Sequence, residues 1–142
     1  MAETFPPTTR ILLVDDQATL RDLVRSQLRT LGYGTRAEWI KQASSGVEGL
    51  KLVQQCFEIQ QPIQLVISDW EMPGGAGIDF LKAVRADPRF STLPFILLTA
   101  VNKQEQIMQA LQAGVSNYML KPFSVMTLTE KLQRTWEKIQ KK

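Results

Sequence analysis

Four short apolar runs, each closed by a residue capable of chemistry, constrain this chain more than any other feature. Ile11 to Val14 ends at Asp15-Asp16, and Leu65 to Ile67 ends at Ser68-Asp69. Phe95 to Leu98 ends at Thr99, and Tyr118 to Leu120 ends at Lys121-Pro122. Such runs are continuous rather than alternating, which is the pattern of strands buried on both faces. A further strand is expected within 35–45, around Trp39-Ile40, although charged residues interrupt that stretch.

Between the runs the apolar spacing turns helical. Leu20, Leu23, Val24, Leu28 and Leu31 precede a stop at Gly32, and Val47, Leu50, Val53 and Phe57 precede Pro62. Phe80, Leu81 and Val84 mark a short third helix. Ile107, Ala110 and Leu111 mark a fourth, stopped by Gly114, and Val125, Leu128, Leu132, Trp136 and Ile139 stripe a fifth. Strands alternating with helices predict an α/β fold, a (βα)5 doubly wound five-stranded parallel sheet covered on both faces. The 142 residues suffice for one such domain, expected over 10–140. Residues 1–9, with Pro6-Pro7 and several threonines, read as a flexible arm.

Composition excludes several kinds of chemistry. The chain has no histidine and only one cysteine, Cys56. Cys/His zinc sites, an internal disulfide and Ser-His or Cys-His nucleophile pairs are therefore ruled out. Cys56 reads as a packing residue. No apolar run reaches membrane-spanning length, and the first residues lack a secretory pattern, so a cytoplasmic protein is expected. The net charge of +3 is scattered, with a cluster only at Lys138, Lys141 and Lys142, and direct DNA binding is not expected.

Asp15, Asp16, Asp69, Thr99 and Lys121 all stand at predicted strand ends. Open parallel sheets bind ligands outside the carboxyl ends of their strands. Three carboxylates gathered there would repel one another unless a cation joined them, and an oxygen-only donor set with room for water suits Mg2+. A carboxylate can also attack phosphorus to form an aspartyl phosphate. A lysine ammonium and a threonine hydroxyl would then serve the phosphoryl oxygens. Each residue alone has a plainer explanation: Asp15-Asp16 as a helix entry, Asp69 as a turn residue, Thr99 as a helix cap, Lys121 as a surface charge. Their joint placement at strand ends favours a site.

The Asp15-Asp16 pair, the segment from Val66 to Pro73, the Thr99-Ala100 pair and Lys121-Pro122-Phe123 resemble the receiver domain of two-component response regulators. The similarity runs from about Arg10 to Lys138 and is greatest to stand-alone, CheY-like chemotaxis regulators. It implies a flavodoxin-like sheet of strand order 2-1-3-4-5. It also implies that Asp69 accepts phosphate from a histidine kinase. Asp16, Asp69 and the backbone carbonyl of Glu71 would ligate Mg2+, with Asp15 acting through water. Lys121 would pair with the acceptor and then with its phosphate, and Thr99 would move toward the phosphoryl group. Tyr118 would change rotamer with Thr99, and Ile107, Tyr118 and Lys131 would form an output face on the fourth helix, fifth strand and fifth helix. That face would meet a protein partner such as a flagellar motor switch. A cis peptide at Lys121-Pro122 is expected as well.

Some positions depart from the family pattern. The loop reads Gly74-Gly75-Ala76-Gly77 where an Asp commonly precedes the last glycine. Val101 is apolar where a carboxylate is usual, and Glu71 replaces an amide; both positions tune phosphate lifetime in the family. The second strand and helix look several residues longer. The runner-up readings are a receiver fragment of a larger regulator or hybrid kinase, and an Asp-nucleophile phosphatase. The phosphatase reading is supported by Glu71, two residues after Asp69, but lacks a substrate cap. A flavin or nucleotide binder would want phosphate-cradling amides where Asp15-Asp16 stand.

Overall fold

The computed structural model describes residues 4–72, 77–100 and 103–140. Strands β1 (Ile11–Val14), β2 (Ile40–Ala43), β3 (Leu65–Asp69), β4 (Phe95–Thr99) and β5 (Asn117–Leu120) alternate with five helices. These are α1 (Ala18–Thr30), α2 (Gly46–Glu58), α3 (Gly77–Ala86), α4 (Gln104–Gln112) and α5 (Val125–Gln140). The strands form one sheet in the order β2-β1-β3-β4-β5, and every pairing is parallel.

A period of two is hidden inside each apolar run. Leu12, Val14, Val66, Phe95 and Leu97 face the layer of α2, α3 and α4, where they meet Val53, Phe80, Leu81, Val84 and Ala110. Ile11, Leu13, Leu65, Ile67, Ile96, Leu98 and Met119 face the opposite layer, against Val24 and Leu28 of α1 and Leu128 and Leu132 of α5. Burial on both faces explains why no polar residue interrupts β1, and why β3 and β4 admit polar side chains only at their ends.

Local signals set the helix ends. Ser45 caps α2 by accepting the Glu48 N–H at 3.1 Å, while Glu48 reaches back to the Ser44 N–H. Gly32 and Gly114, the expected stops, adopt φ of 98° and 92°, the left-handed conformation that closes a helix at little cost.

Four details differ from the sequence reading. Trp39 lies in a 3-10 turn over Ala37–Trp39, so β2 keeps only four residues and the surplus of the 35–45 stretch is this turn. On α2, Val47 and Phe57 are exposed while Gly49, Val53 and Cys56 form the buried stripe. Phe57 instead meets Phe90 edge-on. On α4, Leu111 is exposed and Ala110 alone is fully buried.

The fourth difference concerns the arm. Its described part, from Thr4 to Thr9, folds back on the domain. Phe5 is buried and meets Trp136 of α5 edge-on at 5.1 Å, and its carbonyl accepts the Tyr33 hydroxyl at 2.8 Å. Thr9 turns the chain by donating its N–H and its hydroxyl to the Pro6 carbonyl. Phe5 thus extends the α1/α5 core past the N-terminal ends of the strands. Phe5→Ala should destabilise the domain by about 3 kcal/mol, the usual scale for emptying a buried aromatic site. Urea unfolding checks this, and a loss below about 1 kcal/mol would mean that the arm is peripheral.

Candidate functional site

Strand register assembles the site. β1 and β3 are neighbours, with Val14 opposite Ser68, so Asp15 and Asp69 emerge side by side. The chain leaves β1 toward β2 and leaves β3 toward β4, so the sheet order reverses between them. This switch point opens the crevice in which open α/β sheets bind ligands. Asp15 and Asp69 are buried and Asp16 is exposed, and each offers a carboxylate oxygen within 4.8 Å of the other two.

The cation comes from two strands away. Thr99 pairs with Leu120, which places Lys121 one step beyond the sheet edge, and the Lys121 N–H donates to the Thr99 carbonyl at 2.8 Å. At about 4.8 Å per strand, only a long side chain from β5 can reach β3. Lys121 does so, with Nζ 2.7 Å from Asp69 Oδ1 and 3.9 Å from Asp15 Oδ2. The shorter contact lacks hydrogen-bond geometry, leaving Asp69 Oδ1 a buried carboxylate oxygen held by charge alone. The Lys121-Pro122 peptide is cis. Thr99 is buried at the end of β4, one residue beyond the Leu98 that pairs with Asp69.

Backbone packing fixes the other wall. The Gly77 N–H donates to the Trp70 carbonyl at 2.6 Å, and a Cβ at Gly77 would overlap the Asp69 carbonyl. Glycine is thus required for α3 to start this close to the end of β3. Gly74, Gly75, Val101, Lys141 and Lys142, to which sequence reasoning gave significance, lie outside the described residues. Glu71 is exposed beside the site. On the expected output face Ile107, Tyr118 and Lys131 are half-buried, and Lys131 Nζ sits 5.0 Å above the Tyr118 ring.

Sequence reasoning missed the groups that hold Asp15. Its Oδ1 accepts the Gln17 N–H at 2.9 Å, its own N–H donates to the Ala43 carbonyl, and its carbonyl accepts Arg21 Nη1. Backbone donors such as Gln17 leave no sequence signal.

The donor set fits a divalent cation. It is built only of oxygen, it is part buried and part open, and the Lys121 ammonium meets two of its three carboxylates, Asp69 and Asp15. Burial, the largest cause, pushes the Asp15 carboxyl up from 3.8 to about 6. The Asp69 charge adds to this, while the Gln17 N–H and Lys121 oppose it. Without metal, between about pH 4 and pH 6, the folded protein therefore retains a proton on Asp15 that the unfolded chain has already released. The stability tied to this group is full below about pH 4 and is lost as pH rises through about 6. In chelator, Asp15→Asn should raise the urea midpoint more at about pH 7.5 than at about pH 4. Equal effects at the two pH values would show that the fold does not raise the Asp15 carboxyl.

Comparison with known proteins agrees with this geometry. Residues 11–133 match the family model described as the response regulator receiver domain. Chemotaxis protein CheY-3 of Vibrio cholerae is 41% identical over 130 residues, covering 92% of this chain and 93% of that protein. Chemotaxis protein CheY of Pseudomonas aeruginosa is 39% identical, with 92% and 98% covered. The solved structure of the V. cholerae chemotaxis protein CheY4 superposes with a TM-score of 0.78 at 30% identity, covering 90% of this chain and 98% of that one. With the strand order, the acidic crevice and Lys121 all in place, the chain belongs to the response regulator receiver family.

Proposed function

We propose that Asp69 is the phosphoacceptor of a chemotaxis-type response regulator that works as a switch rather than as a turnover enzyme. The observation that carries this reading is Lys121 Nζ at 2.7 Å from Asp69 Oδ1 within a three-carboxylate crevice. A free Asp69 oxygen attacks phosphorus, an O–P bond forms, and the P–N bond of a histidine kinase donor breaks with its electron pair leaving on the imidazole. Asp16, Asp69 and the Glu71 carbonyl would hold Mg2+, with Asp15 reaching it through water. Mg2+, when bound, supplies charge neutralisation for the carboxylates and the phosphoryl oxygens. Lys121 holds the acceptor carboxylate before transfer and a phosphoryl oxygen after it, and the Thr99 hydroxyl donates to another.

Output follows from the same groups. Thr99 and Lys121 sit where β4 and β5 end, beside α4 and α5. Tyr118 is half-buried and capped by Lys131, a contact worth roughly 0.5–1 kcal/mol at such partly exposed sites. A shift of Thr99 toward the phosphoryl group gives Tyr118 room to turn inward, exchanging that contact for burial. Ile107 then borders an apolar groove suited to a short amphipathic helix of a protein partner. The names of the curated relatives support chemotaxis as the setting; a flagellar motor switch as the partner is what the family resemblance implies. The absence of a membrane-length apolar helix among the described residues is consistent with action in the cytoplasm.

Intact mass after incubation with acetyl phosphate and Mg2+ should show one phosphoryl adduct, lost on hydroxylamine treatment. Asp69→Asn should abolish it, and labelling of that variant at the wild-type rate on the same peptide would overturn the assignment. Lys121→Arg keeps the charge but misplaces it, so adduct formation persists while partner binding falls about ten-fold or more. With beryllofluoride and Mg2+, NMR shifts should extend from Asp69 to Ile107, Tyr118 and Lys131. Shifts confined to the acceptor pocket would remove the output model and leave the acceptor role intact.

A further inference from the structure

Arg21 stands where helix electrostatics disfavours it. It is the fourth residue of α1, near the positive end of the helix dipole, and the first turn holds no acidic residue to offset it. Its guanidinium is nevertheless committed to two acceptors. Nη1 donates to the Asp15 carbonyl, and Nε donates to Gln42 Oε1 at 3.0 Å. Gln42 lies on β2, opposite Leu13 of β1.

The carbonyl that Arg21 grips belongs to the peptide joining Asp15 to Asp16. On its other side, Asp15 donates its N–H to the Ala43 carbonyl of β2 at 3.1 Å. Both peptides flanking Asp15 are therefore tied to β2, one directly and one through Arg21 and Gln42. This matters most for Asp16. Its side chain is exposed, so its direction depends on how the preceding peptide plane is set. A carbonyl free to rotate would swing Asp16 away from Asp69.

We propose that Arg21, oriented by Gln42, is a positioning residue for the divalent-cation site, fixing the Asp15-Asp16 peptide so that both carboxylates converge on Asp69. This rests on the reading of those carboxylates as the Mg2+ site. Arg21 acts through the backbone and does not touch the ion. Groups that orient metal ligands typically matter by 10–100-fold in affinity, that is, by at least about ten-fold. A merely electrostatic role has the opposite sign, because deleting a nearby cation tightens binding of another cation.

That difference of sign provides the test. The full chain is titrated with MgCl2, following the Gln17 and Trp70 amides by NMR. Arg21→Met, which keeps the stem and loses both donors, should weaken Mg2+ about ten-fold. Gln42→Leu should weaken it less, Arg21→Lys should fall between wild type and Arg21→Met, and Gln42→Leu should add nothing in the Arg21→Met background. Unchanged or tighter Mg2+ binding in Arg21→Met overturns the proposal, even if its melting temperature falls. Should Arg21→Met not fold, Gln42→Leu decides: weaker Mg2+ supports the proposal and unchanged Mg2+ overturns it. A wild-type protein whose amides ignore Mg2+ overturns the metal reading itself, and this proposal with it.

Discussion

Mutual repulsion among Asp15, Asp16 and Asp69 is the constraint around which the upper edge of this domain is organised. Two like charges about 4 Å apart repel by about 4 kcal/mol at the effective dielectric of a protein surface. Here three carboxylates offer oxygens within 4.8 Å of one another. Lys121 balances one of these charges. Burial and repulsion raise the Asp15 carboxyl, and the deficit left over is what makes the crevice receptive to a divalent cation. The fold sustains this because the carboxylates sit on rigid strand ends. Moving them apart would mean breaking ladder bonds between β1 and β3.

Lys121 also links the charge balance to sheet construction. Its own strand is an edge strand, two removed from Asp69, so the ion pair crosses the end of β4. Removing one partner of a buried pair typically costs 3–5 kcal/mol, roughly the scale of a large core truncation. On the proposed reading, a phosphoryl group on Asp69 would redistribute charge between β3 and β5, with Thr99 lying between them. The proposed output face would then be reached without a long path.

How much of this could be read in advance depended on what burial does to sequence. Strands covered on both faces must be apolar, so β1, β3 and β4 were legible, and so were the polar residues ending them. β5, an edge strand with only Met119 fully buried, was legible through its Tyr118-Met119-Leu120 run. β2 was obscured because it is an edge strand with half-buried Lys41 and Gln42 at its centre. Composition does not encode which strands pair. The alignment of Asp15 with Asp69 followed from resemblance and is seen directly in the register. The Phe5 contact was illegible because Pro6-Pro7 beside it signals only an extended chain. Gly77 was visible as a letter, but its reason, the Asp69 carbonyl in the place of a side chain, is a matter of three dimensions. The brace on Asp15 was hidden because an arginine early in a helix normally signifies a solvated charge.

The contact between Phe5 and Trp136 brings the first described segment of the chain against its last helix. Phe5 precedes β1, and α5 runs back from the end of β5, so they meet at the sheet edge away from the carboxylates. The described chain therefore comes back close to where it starts, at the end of the sheet opposite the crevice. The exposed Gln60-Gln61 turn between α2 and β3, where Gln60 takes a φ of 62°, is the kind of site at which such a chain can be opened. Anything joined to the chain beside Phe5 or Trp136 would hang from the floor of the domain and leave the mouth of the crevice clear.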